Sequence, residues 1–582
     1  MKHNLTVETK AIVALIALTA AIYVGSAGIP SLLDDADSFY AEVAREMNLR
    51  HDWITPHANT LRYLEKPPFF YWLISLSYAV FKSANAFTAR LPTALALVAL
   101  VFVTCKIGKL LFGFRAGLIG GLALATSLGM FLFTRIILPD ALFTLMLALI
   151  FYGFLRWERA ERKNGWLLWM YAFAAFAVMA KGLIGVVFPA GILYFTLVLN
   201  RRLKDVWRLI SMKGVALFLL IAAPWHILIG LRNPGFFWFY FVNEHILRFL
   251  GKRYPMDYGT VPLGPFWLLH VVWLFPWSIY LVTLLRPNNF KKALAESKRG
   301  IILPITWALT ILLFFSFSSR LEYYTVPAFP AMALLAGAQC AAYWERGGKW
   351  PGLILAAFGG ALGVSLLIAA VSVSATTNEA WLKLKDNPDL YAYYLGHLFD
   401  LTPESLLALR APLALAGVGL GVFLPLHHLI KKSEAKAVLL GVGAAVFFLA
   451  ANLGFITFAP RLTSKPVADE INRRLPGRAS AESSIIIDGE YEEGCSVAFY
   501  TRQSVLLHNG RSSNLEYGSR YADAPPLFPD SEALRKIWGA ADRRIFLVTF
   551  ESKQTKLNAL IPQNKFLLFR YGDKLLYSNR PD

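Results

Sequence analysis

The chain has 582 residues, 56% of them hydrophobic and only 16% charged, with a formal net charge of +20. Soluble domains are about 45–50% apolar and about 25% charged, so charges are too sparse here for a water-facing surface. Three cysteines (Cys105, Cys340, Cys495) in this length make no secreted disulfide framework, and no long stretch joins low hydrophobicity to high charge as disordered tails do. A polytopic α-helical membrane protein remains.

A membrane-crossing helix needs about 20 mostly apolar residues. Such runs begin near residues 11, 89, 116, 136, 167, 184, 213, 264, 300, 326, 351, 408 and 437, which predicts about 13 transmembrane helices. The first, from Ala11 to Ile29, follows Lys2 and Lys10 like a signal peptide. A signal peptide ends at a cleavage site before a soluble chain; twelve more apolar runs follow here, so it reads as a retained helix. Every second loop is basic: Lys106, Lys109 and Arg115; Arg156 and Arg159; Arg201, Arg202, Lys204 and Arg208; then Lys291 and Lys292, Arg346 and Lys349, Lys431 and Lys432. The positive-inside rule therefore places the amino terminus in the cytoplasm. Much of the positive charge is topological, which argues against nucleic acid as a partner. His427 and His428 fall among these lysines and read as solvated.

An odd number of spans puts the carboxyl terminus outside. Residues 1–461 read as the membrane domain and 462–582 as a small periplasmic α/β domain. In the latter, Ile485–Ile487, Val505–Leu507, Ile545–Val548, Leu567–Phe569 and Leu575–Tyr577 look like short buried strands, the last two flanking a turn at Tyr571-Gly572-Asp573.

Polar residues collect in the external loops. The first, spanning 30–88, holds Asp34, Asp35 and Asp37, then Glu42, Arg45, Glu46 and Tyr63-Leu64-Glu65-Lys66-Pro67-Pro68. Its apolar parts suit interfacial helices. Later external ends supply Arg135 and Asp140, Lys181 and Gly182, Glu244-His245 with Arg248, and Arg320 through Tyr324. Ionisable residues beside spans usually face a water-filled cavity and work there. Carboxylates there serve as general bases, and Lys and Arg hold lipid phosphates. Tyr63, Tyr71, Trp72, Trp238, Trp267 and Trp273 could line a groove for an apolar tail. Each group also has a plainer role: the acidic triplet could cap the helix that follows, Asp140 suits a helix dipole, Lys181 could snorkel, and the Tyr324 ring suits an aromatic belt. Assembled on one face, they point to an enzyme that takes a group from a lipid phosphate and transfers it outside the membrane. The chain has no phosphate-binding P-loop, no G-x-G-x-x-G after a strand and no H-E-x-x-H, so no nucleotide cofactor is expected. A transporter would place its polar residues at the midplane of repeated halves; these lie at the outer edge, without an evident repeat.

The run Asp35-Ala36-Asp37-Ser38-Phe39-Tyr40-Ala41-Glu42, with Arg62-Tyr63-Leu64-Glu65-Lys66-Pro67-Pro68, Arg90-Leu91-Pro92, Asp140, Lys181-Gly182, Glu244-His245, Arg248 and Arg320 leading to Tyr324, resembles the bacterial aminoarabinose (lipid A) transferases. These are relatives of the protein O-mannosyltransferases among the GT-C glycosyltransferases. The resemblance covers the whole chain. It implies a multi-pass inner-membrane enzyme of GT-C fold that uses a polyprenyl-phosphate sugar donor, with inversion at the anomeric carbon. The acceptor would be lipid A or another periplasmic glycan or lipid; a protein acceptor, as for O-mannosyltransferases, is the alternative. The family's first-loop acid falls on Asp37, with Asp35 as alternative, because the family's Asp-Glu pair is replaced by Ala36-Asp37 and its Arg by Phe39. Asp140 matches the second acid. Lys66, Lys181, Arg248, Arg320, Tyr324 and Tyr63 match donor-binding positions, and Glu65 with His245 match a pair able to bind a divalent metal ion.

Overall fold

The computed structural model describes residues 6–160, 164–255, 259–297, 299–372, 407–475, 483–511, 513–540 and 543–581. Among them, seven helices are long and apolar enough to cross a bilayer: Ala86–Phe112, Asp140–Arg159, Met212–Arg232, Glu322–Glu345, Trp350–Ser372, Arg410–Leu429 and Ser433–Ala459. Leu263–Trp273 and Ser278–Leu285 together would make an eighth, bent by 117° at their junction. Each apolar run of the sequence starts on or a few residues from one of these helices or from a shorter apolar one: Val7–Tyr23, Phe114–Ala125, Asn164–Lys181, Ile184–Leu199 or Ile302–Ser316. The shorter helices, such as the 12 residues of Phe114–Ala125, fall below the ~20 residues of a straight crossing.

Local chemistry sets the helix ends and contacts. Ala86–Phe112 opens with a reciprocal cap, Thr88 N–H donating to Asn85 Oδ1 at 3.1 Å and Asn85 N–H to Thr88 Oγ1 at 3.1 Å. Glycine then allows close helix approach, as it does where packing alone joins apolar helices. A Cβ on Gly337 would lie 2.4 Å from the Gly120 nitrogen, so any side chain there would force Phe114–Ala125 and Phe329–Glu345 apart.

The first external loop is ordered by two helices, Ala36–Arg50 and Phe69–Phe81, joined through a small antiparallel ribbon of β1 (His57–Ala58) and β2 (Leu61–Arg62), with His57 opposite Arg62. Residues 483–578 carry the five expected strands: β3 (Ser483–Asp488), β4 (Leu506–His508), β5 (Arg544–Phe550), β6 (Phe566–Tyr571) and β7 (Lys574–Ser578). They form one sheet of order β4-β3-β5-β7-β6. β3 runs parallel to β4 and β5, with Ile486 level with Leu506 and Leu547, while β7 pairs antiparallel with β5 and β6. The sheet region docks on the first loop: Asn59 donates to the Val505 carbonyl at 2.9 Å and accepts the Val505 N–H at 2.8 Å.

One expectation changes. His427 is fully buried, not solvated, with Nε2 3.3 Å from Tyr280 Oη; its helix, Phe423–Leu429, ends before the lysines at 431 and 432. The three cysteines are free and buried.

Candidate active site

A cavity of about 1880 Å³ opens between the first loop, the outer ends of several apolar helices and the carboxyl-terminal sheet region. Three kinds of wall meet there. Asp35, Asp37 and Asp140 supply acid; Lys66, Lys181 and Arg248 supply positive charge; Phe133, Ile184, Val187, Trp273, Phe314 and Phe455 line an apolar arm. With Glu65, His245 and Tyr324, which also line it, nine of the residues expected from sequence to bear the chemistry converge on one space.

The acidic turn divides its labour. Asp34 is a clamp: its Oδ1 accepts the Ser496 N–H at 3.0 Å, and its Oδ2 accepts Ser464 Oγ and Lys574 Nζ, each at 2.7 Å. Asp37 is also fully engaged. Buried at 1% exposure, it accepts the backbone N–H groups of Leu33 and Ile137, both at 3.0 Å, and a two-point contact from Arg90. Arg90 in turn donates to the carbonyls of Ala27, Pro30 and Ser31. Asp37 thus ties the end of the first helix to the rest of the membrane domain, and its oxygens are spoken for. Asp35, between them, faces the cavity; among the described residues it has no side-chain partner and only the Ala36 backbone amide against its carboxyl. Its side chain is exposed in the cavity wall. Enclosure by protein pushes its carboxyl up to about 6, helped by the neighbouring charges of Asp34, Asp37 and Glu490.

On the cationic side, a π-helix at Trp238–Leu247 presents Asn243, Glu244 and His245, with Arg248 just beyond; π-turns are common at functional sites. Glu65, Arg253, Glu244 and Arg248 form a chain of ion pairs at 2.6, 2.8 and 2.9 Å. Arg253 and both glutamates are buried, so each charge needs its neighbours. Lys66 stands beside this chain and, among the described residues, makes no hydrogen bond or ion pair of its own. Burial and the nearby Arg248 pull its ammonium down to about 8, against the opposing pull of Glu65. Asp140 pairs with Lys181, and the Lys181 ammonium also sits 5.3 Å from the Tyr324 ring centroid. The second Asp140 oxygen is buried without a partner among the described residues. Gly182 is required here: its φ is +82°, and a Cβ would lie 2.2 Å from His245 Nε2.

Other expected site residues take different places. Arg320 donates to the carbonyls of Val261, Ser316 and Ser318 and does not line the cavity, so it fastens the loop before Tyr324. Tyr63 is buried behind the wall, its hydroxyl 3.4 Å from Glu65 Oε2. Of the six aromatics considered for a lipid groove, only Trp273 lines the cavity; Tyr63 and Tyr71 are core residues, while Trp238 and Trp267 face outward. Glu65 and His245 do not fit a metal ion as they stand. Glu65 is bound by Arg253, and both His245 nitrogens are occupied, Nδ1 against the Tyr240 carbonyl at 2.6 Å and Nε2 accepting the Leu183 N–H at 3.1 Å. Among the described residues no group of three or more His, Cys, Asp or Glu side chains is placed to hold a metal ion. Sequence reasoning placed Arg253 in the external loop but gave it no role in the site, because its distance of nine residues from Glu244 follows no helical period. It also missed the contributions of Glu490, Glu492 and Asn514 to the cavity wall, which only the sheet topology brings there.

Comparison with known proteins finds related sequences and a related fold. Residues 65–228 match the family model for dolichyl-phosphate-mannose-protein mannosyltransferases. An undecaprenyl phosphate-alpha-4-amino-4-deoxy-L-arabinose arabinosyl transferase of Pectobacterium carotovorum is 25% identical over 540 residues, covering 87% of this chain and 86% of the relative. The same transferase of Erwinia tasmaniensis is 25% identical over 84% of each chain. The crystal structure of ArnT from Cupriavidus metallidurans bound to undecaprenyl phosphate superposes with a TM-score of 0.81 over 98% of both chains at 22% identity. This chain therefore has the helical GT-C fold of ArnT with a small carboxyl-terminal sheet region, and it is similar to the bacterial aminoarabinose transferases along its length.

Proposed function

We propose that this protein is a GT-C glycosyltransferase that moves a sugar from a polyprenyl-phosphate donor to an acceptor at the periplasmic face of the bacterial inner membrane, with lipid A as the acceptor class. The carrying observation is the pairing of two unpartnered charges in one cavity, Lys66 near Arg248 and Asp35 in the acidic turn, beside an apolar arm able to take a polyprenyl tail. The relatives' names and the undecaprenyl phosphate in the Cupriavidus structure support the donor class.

In this reading Lys66 and Arg248 hold the donor phosphate, with Lys181 and Tyr324 next to the sugar, and Asp140 fixes Lys181. The acceptor oxygen attacks the anomeric carbon from the face opposite the phosphate. The bond between that carbon and the phosphate oxygen breaks as the new one forms, so configuration inverts. The departing lipid phosphate gains charge, which the two cations stabilise. Asp35 orients the acceptor and takes its proton when the acceptor is a hydroxyl; a phosphate acceptor already carries charge, and Asp35 then only positions it. The proposal extends to topology: thirteen spans, a cytoplasmic amino terminus, residues 1–461 as membrane domain and 462–582 as a periplasmic domain.

The test supplies membranes containing the full chain with a radiolabelled polyprenyl-phosphate sugar and lipid A. Lys66→Met should lower kcat/KM for the donor by about two to three orders of magnitude, as loss of a contact to a developing anion does. Wild-type transfer by Lys66→Met would overturn the assignment.

A further inference from the structure

Asp35 holds its position at a conformational cost, and the restraints that impose it come mainly from the other end of the chain. Its backbone sits at φ +65°, ψ −143°, a region that residues with a Cβ rarely adopt and that persists only when the surroundings over-determine it. Those surroundings can be named. The Asp35 N–H donates to the Glu492 carbonyl at 2.8 Å, and its own carbonyl accepts Cys495 Sγ at 3.3 Å. The preceding residue is gripped by Ser464, the Ser496 N–H and Lys574. The Lys574–Asp34 pair is buried on both sides, at 4% and 10% side-chain exposure, so little water competes for it. Glu492, Cys495, Ser496 and Lys574 all belong to the sheet region, more than 450 residues along the chain from the turn they hold. Glu492 itself lines the cavity beside Asp35.

We propose that the carboxyl-terminal sheet region is part of the catalytic apparatus, with Asp34 and Lys574 as positioning residues that hold the strained turn and so aim the Asp35 carboxyl into the cavity. This rests on the reading of Asp35 given above. Without the clamp, the Asp34–Asp35 peptide is free to relax to an ordinary extended or helical conformation. That rotation swings the Asp35 side chain away from the acceptor while leaving Lys66 and Arg248, which hang on a separate ion-pair chain, in place. Misplacing a reacting group by about 1 Å can cost about 100-fold in rate.

The experiment compares Lys574→Met, Asp34→Asn and Asp35→Asn in the full chain in proteoliposomes, measuring kcat, KM for the lipid-linked sugar and binding of undecaprenyl phosphate. Lys574→Met is expected to lose about 10- to 100-fold in kcat, with KM and undecaprenyl phosphate binding within about twofold of wild type. Asp34→Asn, which keeps shape and weakens only the charge, should lose less. A merely structural clamp would instead lower yield and binding together. Should Lys574→Met fail to fold, Asp34→Asn decides. Wild-type kcat in both clamp variants, with Asp35→Asn inactive, would overturn the positioning proposal alone; wild-type kcat in Asp35→Asn would overturn the role of Asp35 on which it rests.

Discussion

The two charged walls of the cavity are built alike and held differently. Each consists mostly of locked ions with one group left over. In the acidic turn Asp34 and Asp37 are saturated by donors and Asp35 is not; on the opposite side Glu65, Arg253, Glu244 and Arg248 neutralise one another in a row, and Lys66 stands outside it. The cationic wall is held by side chains, through the first loop and the π-helix. The acidic wall is held by backbone, through a strained turn whose restraints lie in the sheet region. In the proposed mechanism each wall can lose one function on its own: donor capture on one side, alignment for attack on the other.

The largest expected effect is at Asp37. Replacing it with Asn leaves the Arg90 charge buried without its partner, and breaking a buried pair typically costs about 3–5 kcal/mol. Asp37→Asn should therefore show a clearly lowered melting temperature in detergent, with activity falling in step with folded protein. Full stability with selective loss of turnover would instead make Asp37 the working acid.

A smaller effect comes from pH. Asp35 must be ionised to orient or deprotonate an acceptor, and its raised value means that form is lost as pH falls through about 6. Lys66 must be protonated to hold phosphate, and its lowered value means that form is lost as pH rises through about 8. The profile of kcat/KM, which reports the free enzyme, should be a bell between those limits. An acid limb near 4, the ordinary carboxylate range, would contradict the account. The smallest effect belongs to Arg320→Ala. Because Arg320 caps carbonyls outside the cavity, KM for the donor should stay within about threefold while thermal stability drops; a large rise in KM would return Arg320 to the donor site.

Much of this was legible in the sequence because its signals are periodic or local. Apolar runs located the helices, alternating basic loops gave an orientation to test, and five short apolar stretches located the strands. The convergence of Asp35, Asp37, Asp140, Lys66, Lys181 and Arg248 followed from their common level at the outer membrane edge. Roles within that set were not legible. Alignment by motif favours Asp37, but whether a carboxylate is free depends on Arg90, the Ile137 amide and Lys574, which lie 53, 100 and 537 residues away from it. Arg320 sits one step from a cavity-lining segment, yet its side chain turns to the backbone behind. Glu65 and His245 have the chemistry of metal ligands, and only their partners, Arg253 and two backbone groups, show that their lone pairs are taken.

The most direct measurement is single-turnover transfer by Asp35→Asn preloaded with polyprenyl-phosphate sugar. Donor affinity should match wild type, since Lys66 and Arg248 are untouched, and the transfer rate to a hydroxyl acceptor should fall by about two to four orders of magnitude. Transfer at the wild-type rate with the donor bound would contradict the claim that the one unpartnered carboxylate of the acidic turn is the group that meets the acceptor.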